Sequence, residues 1–314
     1  MNTYIAIGEI IRYYRKERGL SQDALANGIC DRKYLSHIEN NKHIPTLDII
    51  NQLSNRLGVN LYDSYALMLR NHDIDTFKKI EQIQPYLCGE TQEELIKLVE
   101  EYQDLPGFQD GEPLQCIKYA TSLYYANCLE KTEDAITFAL EGLSVNEPFS
   151  IDCVNSNRTF TNIEMSLLNT IAVDYCRLEQ MDEAKKYFEL IQKYLFNAFQ
   201  QSHYATNRNN QFEVKFLANH VCNYFLFFRD TEDFPIDIID KALAILKQLS
   251  NHHMLPELLL CKCYLLMQDG QEEEAKELYI LAHSLGNYLY DPTYQKEHNE
   301  EYLLGEYYTY FSTC

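Results

Sequence analysis

Apolar residues recur at helical spacing along almost the whole chain, and the eight prolines fall between these periodic segments. Because proline disrupts the interior of a helix, its positions indicate where helices end. No stretch fits the alternation of a half-buried strand better than it fits a helix. The sequence therefore predicts an all-α protein.

The predicted helices change in character near residue 70. Up to that point they are short, and Ser21, Asp31 and Thr46 stand where N-caps are expected. The predicted spans are 5–18, 22–28, 31–39, 46–57 and 61–70. From residue 71 the helices are longer and come in pairs. We therefore expect a five-helix domain over 1–70, with a linker near 58–75, and a second domain over 71–314.

The second domain shows a degenerate repeat of helix pairs. In residues 167–188 one helix face carries apolar residues at i, i+3, i+4 and i+7, and a second helix faces back after a short turn. Residues 265–282 repeat the turn and second helix, and 125–143 and 216–249 match in part. This pattern is typical of tetratricopeptide-like repeats, so we expect an α-solenoid. The core residues predicted for this helix pair are Leu168, Ile171, Ala172, Tyr175, Ala184, Phe188 and Ile191.

Charge is distributed unevenly between the two predicted domains. Residues 1–70 hold nine Lys/Arg and seven Asp/Glu, which leaves 18 basic and 40 acidic residues, a net charge of −22, in the remainder. Phosphates repel such an acidic segment. If the protein binds DNA, residues 1–70 must make the contact.

Residues 19–40 contain two short helical patterns around a turn, as a helix-turn-helix requires. The first helix begins at Ser21 and Gln22, where backbone N–H groups favour a phosphate. Arg32 and Lys33, in the first turn of the second helix, suit guanine or phosphate. Leu35 and Ile38 are expected to pack inward against Leu25, Ala26 and Ile29. The predicted DNA-binding residues are Ser21, Gln22, Arg32, Lys33, Tyr34, Ser36, His37 and Lys42.

Residues 7–59 resemble the lambda-repressor-like DNA-binding domain along their whole length. Within them, "GICDRKYLSHIENNKHIP" is similar to the Rgg/PlcR/PrgX-like (RNPP) family. The resemblance implies a transcription factor with a tetratricopeptide-like domain that binds a short signalling peptide. It also implies a salt bridge between Arg15 and Glu39, positions at which the family's domain pairs an arginine with a glutamate.

Polar residues on the predicted first helices are candidates for binding that peptide. Asn169, Val173 and Arg177 share one stripe at i, i+4 and i+8, and an offset of 50 residues carries the first two onto Asn219 and Asn223. Asparagine offers a donor and an acceptor, as an extended peptide backbone requires. We expect these five residues to line a groove.

We therefore predict a cytoplasmic, homodimeric regulator that binds double-stranded DNA and a short hydrophobic peptide, neutral or cationic, in quorum sensing. Two alternatives remain open: the solenoid binds a protein partner or only dimerises, or the chain acts independently of DNA. No stretch resembles a membrane span or a signal peptide. No phosphate loop, nucleophile motif or metal-ligand spacing is present, so we expect no enzyme activity, cofactor or metal.

Overall fold

The computed structural model describes residues 6–62, 64–65, 74–87, 92–154, 158–200, 211–231, 234–249, 251–252, 254–289 and 300–311. These residues form helices, turns and loops and contain no strand, which confirms the all-α prediction. The chain divides into two compact units, unit 1 (Met1–Phe149) and unit 2 (Ser150–Cys314). The predicted boundary at residue 70 lies outside the described residues and stays a prediction.

Unit 1 begins with four short helices: α1 (Ala6–Glu17), α2 (Gln22–Ala26), α3 (Arg32–Glu39) and α4 (Leu47–Leu57). Side-chain oxygens of Ser21, Asp31 and Thr46 accept hydrogen bonds from backbone N–H groups three residues on, which confirms all three predicted N-caps. Of the predicted helix 61–70, residues 61–62 and 64–65 are helical, and the others lie outside the described residues.

The predicted inward face of α3 is confirmed. Leu35 and Ile38 are buried in one core with Leu25 and Ala26, and Ile29 packs against that core. These residues can pack together because the "NGIC" turn between α2 and α3 is short. The opposite side of α3 therefore faces outward.

A helix beyond residue 70 completes this core. Phe77, in α5 (Ile74–Ile83), is fully buried and meets Tyr13 and Tyr14 edge to face at centroid distances of 6.0 and 6.2 Å. Tyr14 Oη donates a hydrogen bond to Glu81 Oε2 at 2.9 Å. Ile80 and Ile83, on the same helix, belong to the next hydrophobic cluster instead. One helix thus contributes side chains to two adjacent cores of unit 1.

The remainder of unit 1 consists of α6 (Gln92–Tyr102), α7 (Gly111–Asn127) and α8 (Thr132–Leu143), with 3-10 turns at Gln84–Tyr86 and Pro106–Phe108. Helices α7 and α8 form the pair predicted from 125–143. Ala135 and Ala139 are fully buried between them. Such small side chains allow two helix backbones to approach closely.

The described residues of unit 2 form three helix pairs: α9 (Asn162–Arg177) with α10 (Met181–Gln200), α11 (Gln211–Phe228) with α12 (Asp237–Gln248), and α13 (Leu255–Gln268) with α14 (Glu272–Leu289). The predicted core is buried, except that Tyr175 is half-buried. A 3-10 turn at Ile151–Cys153 precedes the pairs. The short helices α15 (Glu300–Leu304) and α16 (Tyr308–Phe311) follow them, separated by a turn at Gly305–Tyr307.

Arg229, just after α11, holds the C-terminal helices in place. Its Nη1 donates to the carbonyl oxygens of Leu303 at 2.7 Å and Tyr302 at 3.1 Å. Its guanidinium lies 4.6 Å from the ring centroid of Tyr264 on α13. A cation over an aromatic face is attracted by the ring quadrupole, so one side chain ties α13 to α15.

Candidate functional site

The predicted DNA-binding residues lie at α2, α3 and the loop that follows α3. Ser21, Arg32, Lys33 and Lys42 are exposed, whereas Gln22, Tyr34, Ser36 and His37 are half-buried. Arg32 Nε lies 3.5 Å from Asp23 Oδ2, and both side chains are largely exposed. An exposed ion pair contributes ~0–1 kcal/mol, so Arg32 can exchange this partner for a phosphate or a base at little cost.

Glu39, at the end of α3, is the centre of a buried polar network. Arg15 Nε and Nη2 donate to its two carboxylate oxygens at 2.5 and 2.8 Å, as expected for the predicted salt bridge. These hydrogen bonds raise the pKa of Arg15 above its ordinary value. Gln22 Nε2 also donates to Glu39 Oε2, at 2.8 Å. The Gln22 amide nitrogen is thus used within the domain, and its oxygen stays a candidate for DNA contact.

Three rings stack beside α3. The ring centroid of His43 lies 5.0 Å from that of His37 and 5.6 Å from that of Tyr34, with interplanar angles of 26° and 24°. Tyr34 Oη donates to the Ile44 carbonyl at 3.4 Å. The loop after α3 is therefore held against the helix by aromatic contacts. Sequence reasoning missed His43, because no local rule relates a loop residue to a helix residue six positions earlier.

The predicted peptide-binding residues lie on α9 and α11, which contact each other. Asn169, Val173, Asn219 and Asn223 are half-buried. The Oδ1 atom of Asn169 is buried and has no hydrogen-bond partner within the described structure. A buried unsatisfied acceptor costs ~1–3 kcal/mol, so the half-buried Asn169 side chain gains if it turns its amide oxygen towards an external donor.

Arg177, the fifth of these residues, already has a partner. It is exposed, and its Nη1 donates to Asp174 Oδ1 at 2.9 Å. Burial raises the pKa of Asp174 to about 6, and Arg177 opposes the increase. Asp174 therefore offsets the positive charge of Arg177, a contact that the predicted groove stripe did not include.

His220, between Asn219 and Val221, is fully buried among aromatic rings. Its ring centroid lies 5.6 Å from that of Phe188, and neither ring nitrogen has a hydrogen-bond partner among the described residues. Burial lowers the pKa of His220 to about 3. The ring is therefore neutral near pH 7. The apolar spacing of α11 predicts only that position 220 lies on a long buried helix. It does not predict that the two ring nitrogens of His220 lack hydrogen-bond partners.

The described residues include no group of three or more His, Cys, Asp or Glu side chains that could hold a metal ion. Cys261 and Cys263, the most closely spaced cysteines, are buried free thiols. Among the described helices, none has the length and apolar character needed to cross a membrane.

Comparison with protein families assigns residues 11–63 to the family Helix-turn-helix. Comparison with curated proteins finds no match. The structure of Bacillus thuringiensis PlcR in complex with the peptide PapR7 and DNA is similar to the chain, with 20% identity and a TM-score of 0.53, covering 96% of this chain and 100% of PlcR.

Two structures of ComR are also similar. The apo form from Streptococcus vestibularis has 18% identity and a TM-score of 0.47, covering 97% of this chain and 99% of its own. The S. thermophilus complex with DNA and its signalling peptide ComS has 20% identity and a TM-score of 0.47, covering 93% and 97%. Since both scores lie below 0.5, the fold comparison rests on PlcR. The chain carries a helix-turn-helix domain over residues 11–63 and has the fold of PlcR.

Proposed function

We propose that a short peptide, bound between α9 and α11, controls DNA binding by α3. The observation that carries this proposal is the buried, unpartnered Oδ1 of Asn169 on α9, a helix that contacts α11, where Asn219 and Asn223 are half-buried. The PlcR complex named above contains both DNA and a peptide, which supports the same arrangement here.

For DNA, the proposal assigns base or phosphate contacts to the first turn of α3. Asp31 caps this helix and leaves its other N-terminal N–H groups directed outward, beside the exposed Arg32 and Lys33. Ser21 marks the start of α2, where a second phosphate fits, and Lys42 extends the basic surface along the following loop. Tyr34, Ser36 and His37 complete the contact surface.

For the peptide, the proposal assigns backbone hydrogen bonds to Asn169, Asn219 and Asn223. An amide side chain can accept from a peptide N–H and donate to a carbonyl, so three of them can follow an extended chain. Val173 provides an apolar contact. Because residues 71–314 carry a net charge of −22 and Asp174 offsets Arg177, we expect the peptide to be hydrophobic and neutral or cationic.

We also propose that the protein binds DNA as a homodimer. A single helix-turn-helix module buries too little DNA surface for high affinity, and two recognition helices ~34 Å apart fit half-sites one helical turn apart. Sedimentation of the protein with and without DNA measures whether it is a dimer and tests this part directly.

The DNA part is tested by selecting duplexes from a random-sequence library with the wild-type protein and measuring their affinity by fluorescence anisotropy. Arg32→Ala and Lys33→Ala should each weaken binding by ~1–3 kcal/mol if the side chain reads a base. Lys97→Ala, an exposed lysine on α6, is the control and should bind like wild type. Wild-type affinity in both α3 variants would contradict the assignment of the recognition helix.

The peptide part is tested by calorimetry with synthetic short peptides, hydrophobic or acidic in composition. Asn169→Ala should lower affinity for the bound peptides by ~1–3 kcal/mol, because a peptide N–H loses its acceptor. Asn162→Ala, an exposed asparagine on the same helix, is the control. Equal peptide affinity in Asn169→Ala and Asn162→Ala, or tighter binding of acidic than of hydrophobic peptides, would contradict the proposed peptide-binding groove. Failure of every peptide, together with co-purification of a protein partner, would favour the alternative function.

A further inference from the structure

The rings of His37 and His43 stack on each other, which no other pair of histidines does among the residues that the structure describes. His283 pairs with Glu300 Oε1 at 2.8 Å, and His220 is fully buried. The imidazoles of His37 and His43 have ring contacts but no hydrogen-bond or ion-pair partner among the described residues. Their nitrogens are therefore available to an external group.

The two rings lie within the surface proposed to contact DNA. His37 is one turn beyond Lys33 on α3, and the exposed His43 follows the exposed Lys42. The backbone N–H groups of Lys42 and His43 both donate to the His37 carbonyl, at 2.8 and 3.4 Å. This local geometry, together with the Tyr34 stack, holds the two imidazoles side by side before any ligand arrives.

Carboxylates on the elements that pack around α3 are already engaged and do not pair with these imidazoles. Asp23, on α2, pairs with Arg32. Asp31, in the turn before α3, caps that helix. Glu39 is bound by Arg15 and approached by Arg12. On α1, Glu9 accepts a hydrogen bond from Asn41, and on α4, Asp48 accepts one from Gln52. Lys33 and Lys42, the exposed lysines nearest to these rings in the sequence, are positively charged.

We infer that His37 and His43 form a binding pair for phosphodiester oxygens of duplex DNA and that they take up protons from solvent when DNA binds. This inference rests on the proposed contact between α3 and DNA. The two ring centroids lie 5.0 Å apart, and the exposed Lys33 and Lys42 make the surrounding surface positive. Phosphates supply the negative charge that this surface lacks, and an imidazolium can donate to a phosphodiester oxygen.

Histidine changes its charge between about pH 5 and pH 8, so the linkage acts within the physiological range. Each proton taken up makes the association constant fall by up to about tenfold per pH unit as the pH rises through this range. Each added imidazolium contact also steepens the dependence of log affinity on log salt by about 0.9. A binding surface of lysine and arginine alone would not show this dependence of affinity on pH.

The test uses full-length protein and a fluorescein-labelled duplex of about 30 base pairs, recovered from a random library and long enough for two half-sites. Anisotropy titrations between about pH 6 and pH 8, at several salt concentrations, compare wild type with His43→Phe and with His37→Phe/His43→Phe. Phenylalanine keeps an aromatic ring in the stack and removes the titrating group. His252→Phe, an exposed histidine in unit 2, is the matched control.

We expect the double variant to lose most of the pH dependence and to show a shallower salt slope near pH 6, with the control unchanged. His43→Arg, which carries a permanent charge at the same position, should restore binding at high pH. Helical circular dichroism of each variant verifies folding. If the double variant retains the wild-type pH dependence, the histidine pair is excluded while DNA binding stands. If wild type binds no duplex at any pH, the proposed function itself fails.

Discussion

The ion pair between Arg15 and Glu39 allows a quantitative prediction about the DNA-binding module. The Glu39 side chain is fully buried, and that of Arg15 is 12% exposed. Arg15 makes two charge-assisted hydrogen bonds to Glu39 and a third, of 2.8 Å, to the Leu20 carbonyl. Replacing Arg15 with Ala therefore leaves a buried carboxylate without its main partner, on the helix proposed to read DNA.

The expected loss of stability follows from what remains around Glu39. Breaking a fully buried ion pair costs ~3–5 kcal/mol. After the substitution Gln22 still donates to Glu39, and Arg12 Nε lies 3.8 Å from it, so part of the charge stays compensated. We therefore expect a loss of ~3 kcal/mol, at the lower end of that range. Replacing both partners with Leu removes both charges and should recover much of this loss.

Hydrogen exchange of the full-length protein measures this loss locally, in the amides of α1 and α3. A change of ~3 kcal/mol corresponds to about 100-fold faster exchange from opened states. Lys16→Ala, an exposed neighbour on α1, should change stability by less than ~0.5 kcal/mol. If Arg15→Ala leaves exchange unchanged but alters which DNA sequences are bound, the pair is not structural and the reasoning is refuted.

Four further substitutions test other contacts. Phe77→Ala should destabilise unit 1 by ~3–5 kcal/mol, seen as faster exchange in α1, because it empties a fully buried site. For His220, the lowered pKa of about 3 means that the unfolded chain binds a proton that the folded chain does not. Stability therefore falls as the pH drops from about 6.5 towards 3, by about 2 kcal/mol at pH 5, and His220→Leu should remove this loss in acid unfolding curves. For Asp174 the dependence of stability on pH has the opposite sign. Its pKa is raised to about 6, so stability falls as the pH rises from about 4 to 6. Asp174→Asn should therefore gain ~2–3 kcal/mol of stability at pH 7 in denaturant unfolding. Arg229→Ala should release α15 and expose its amides to exchange.

The first three of these variants have controls at exposed positions. Leu129→Ala in unit 1 should be close to neutral, as should His252→Leu and Asp237→Asn in unit 2. If His220→Leu leaves the acid unfolding transition at the same pH as in wild type, the buried ring is not the cause of the loss of stability in acid. A loss of stability at pH 7 in Asp174→Asn would mean that the ion pair with Arg177 outweighs the cost of burial. For Arg229, unchanged exchange in α15 would show that the two carbonyl contacts do not hold the helix.

The sequence by itself determined the features that depend on neighbours within a few residues. The N-caps Ser21, Asp31 and Thr46 were predictable because each bonds to a backbone N–H three positions on. The helix pairs were predictable because their buried faces repeat at helical spacing. The bridge from Arg15 to Glu39 spans 24 positions, and it was expected only because the segment resembles a known family.

Only the tertiary structure decided the contacts between residues that no local rule relates. Phe77 lies beyond the predicted DNA-binding domain, yet it completes that domain's core, because α5 packs its side chains into two clusters. The ring of His43 meets that of His37 because the loop folds back on α3. Whether Asn169 Oδ1 finds a partner, and whether Arg177 remains free, depends on which side chains packing brings within hydrogen-bond distance. Periodicity fixes which face of a helix is buried, but burial alone does not specify which polar atoms are satisfied.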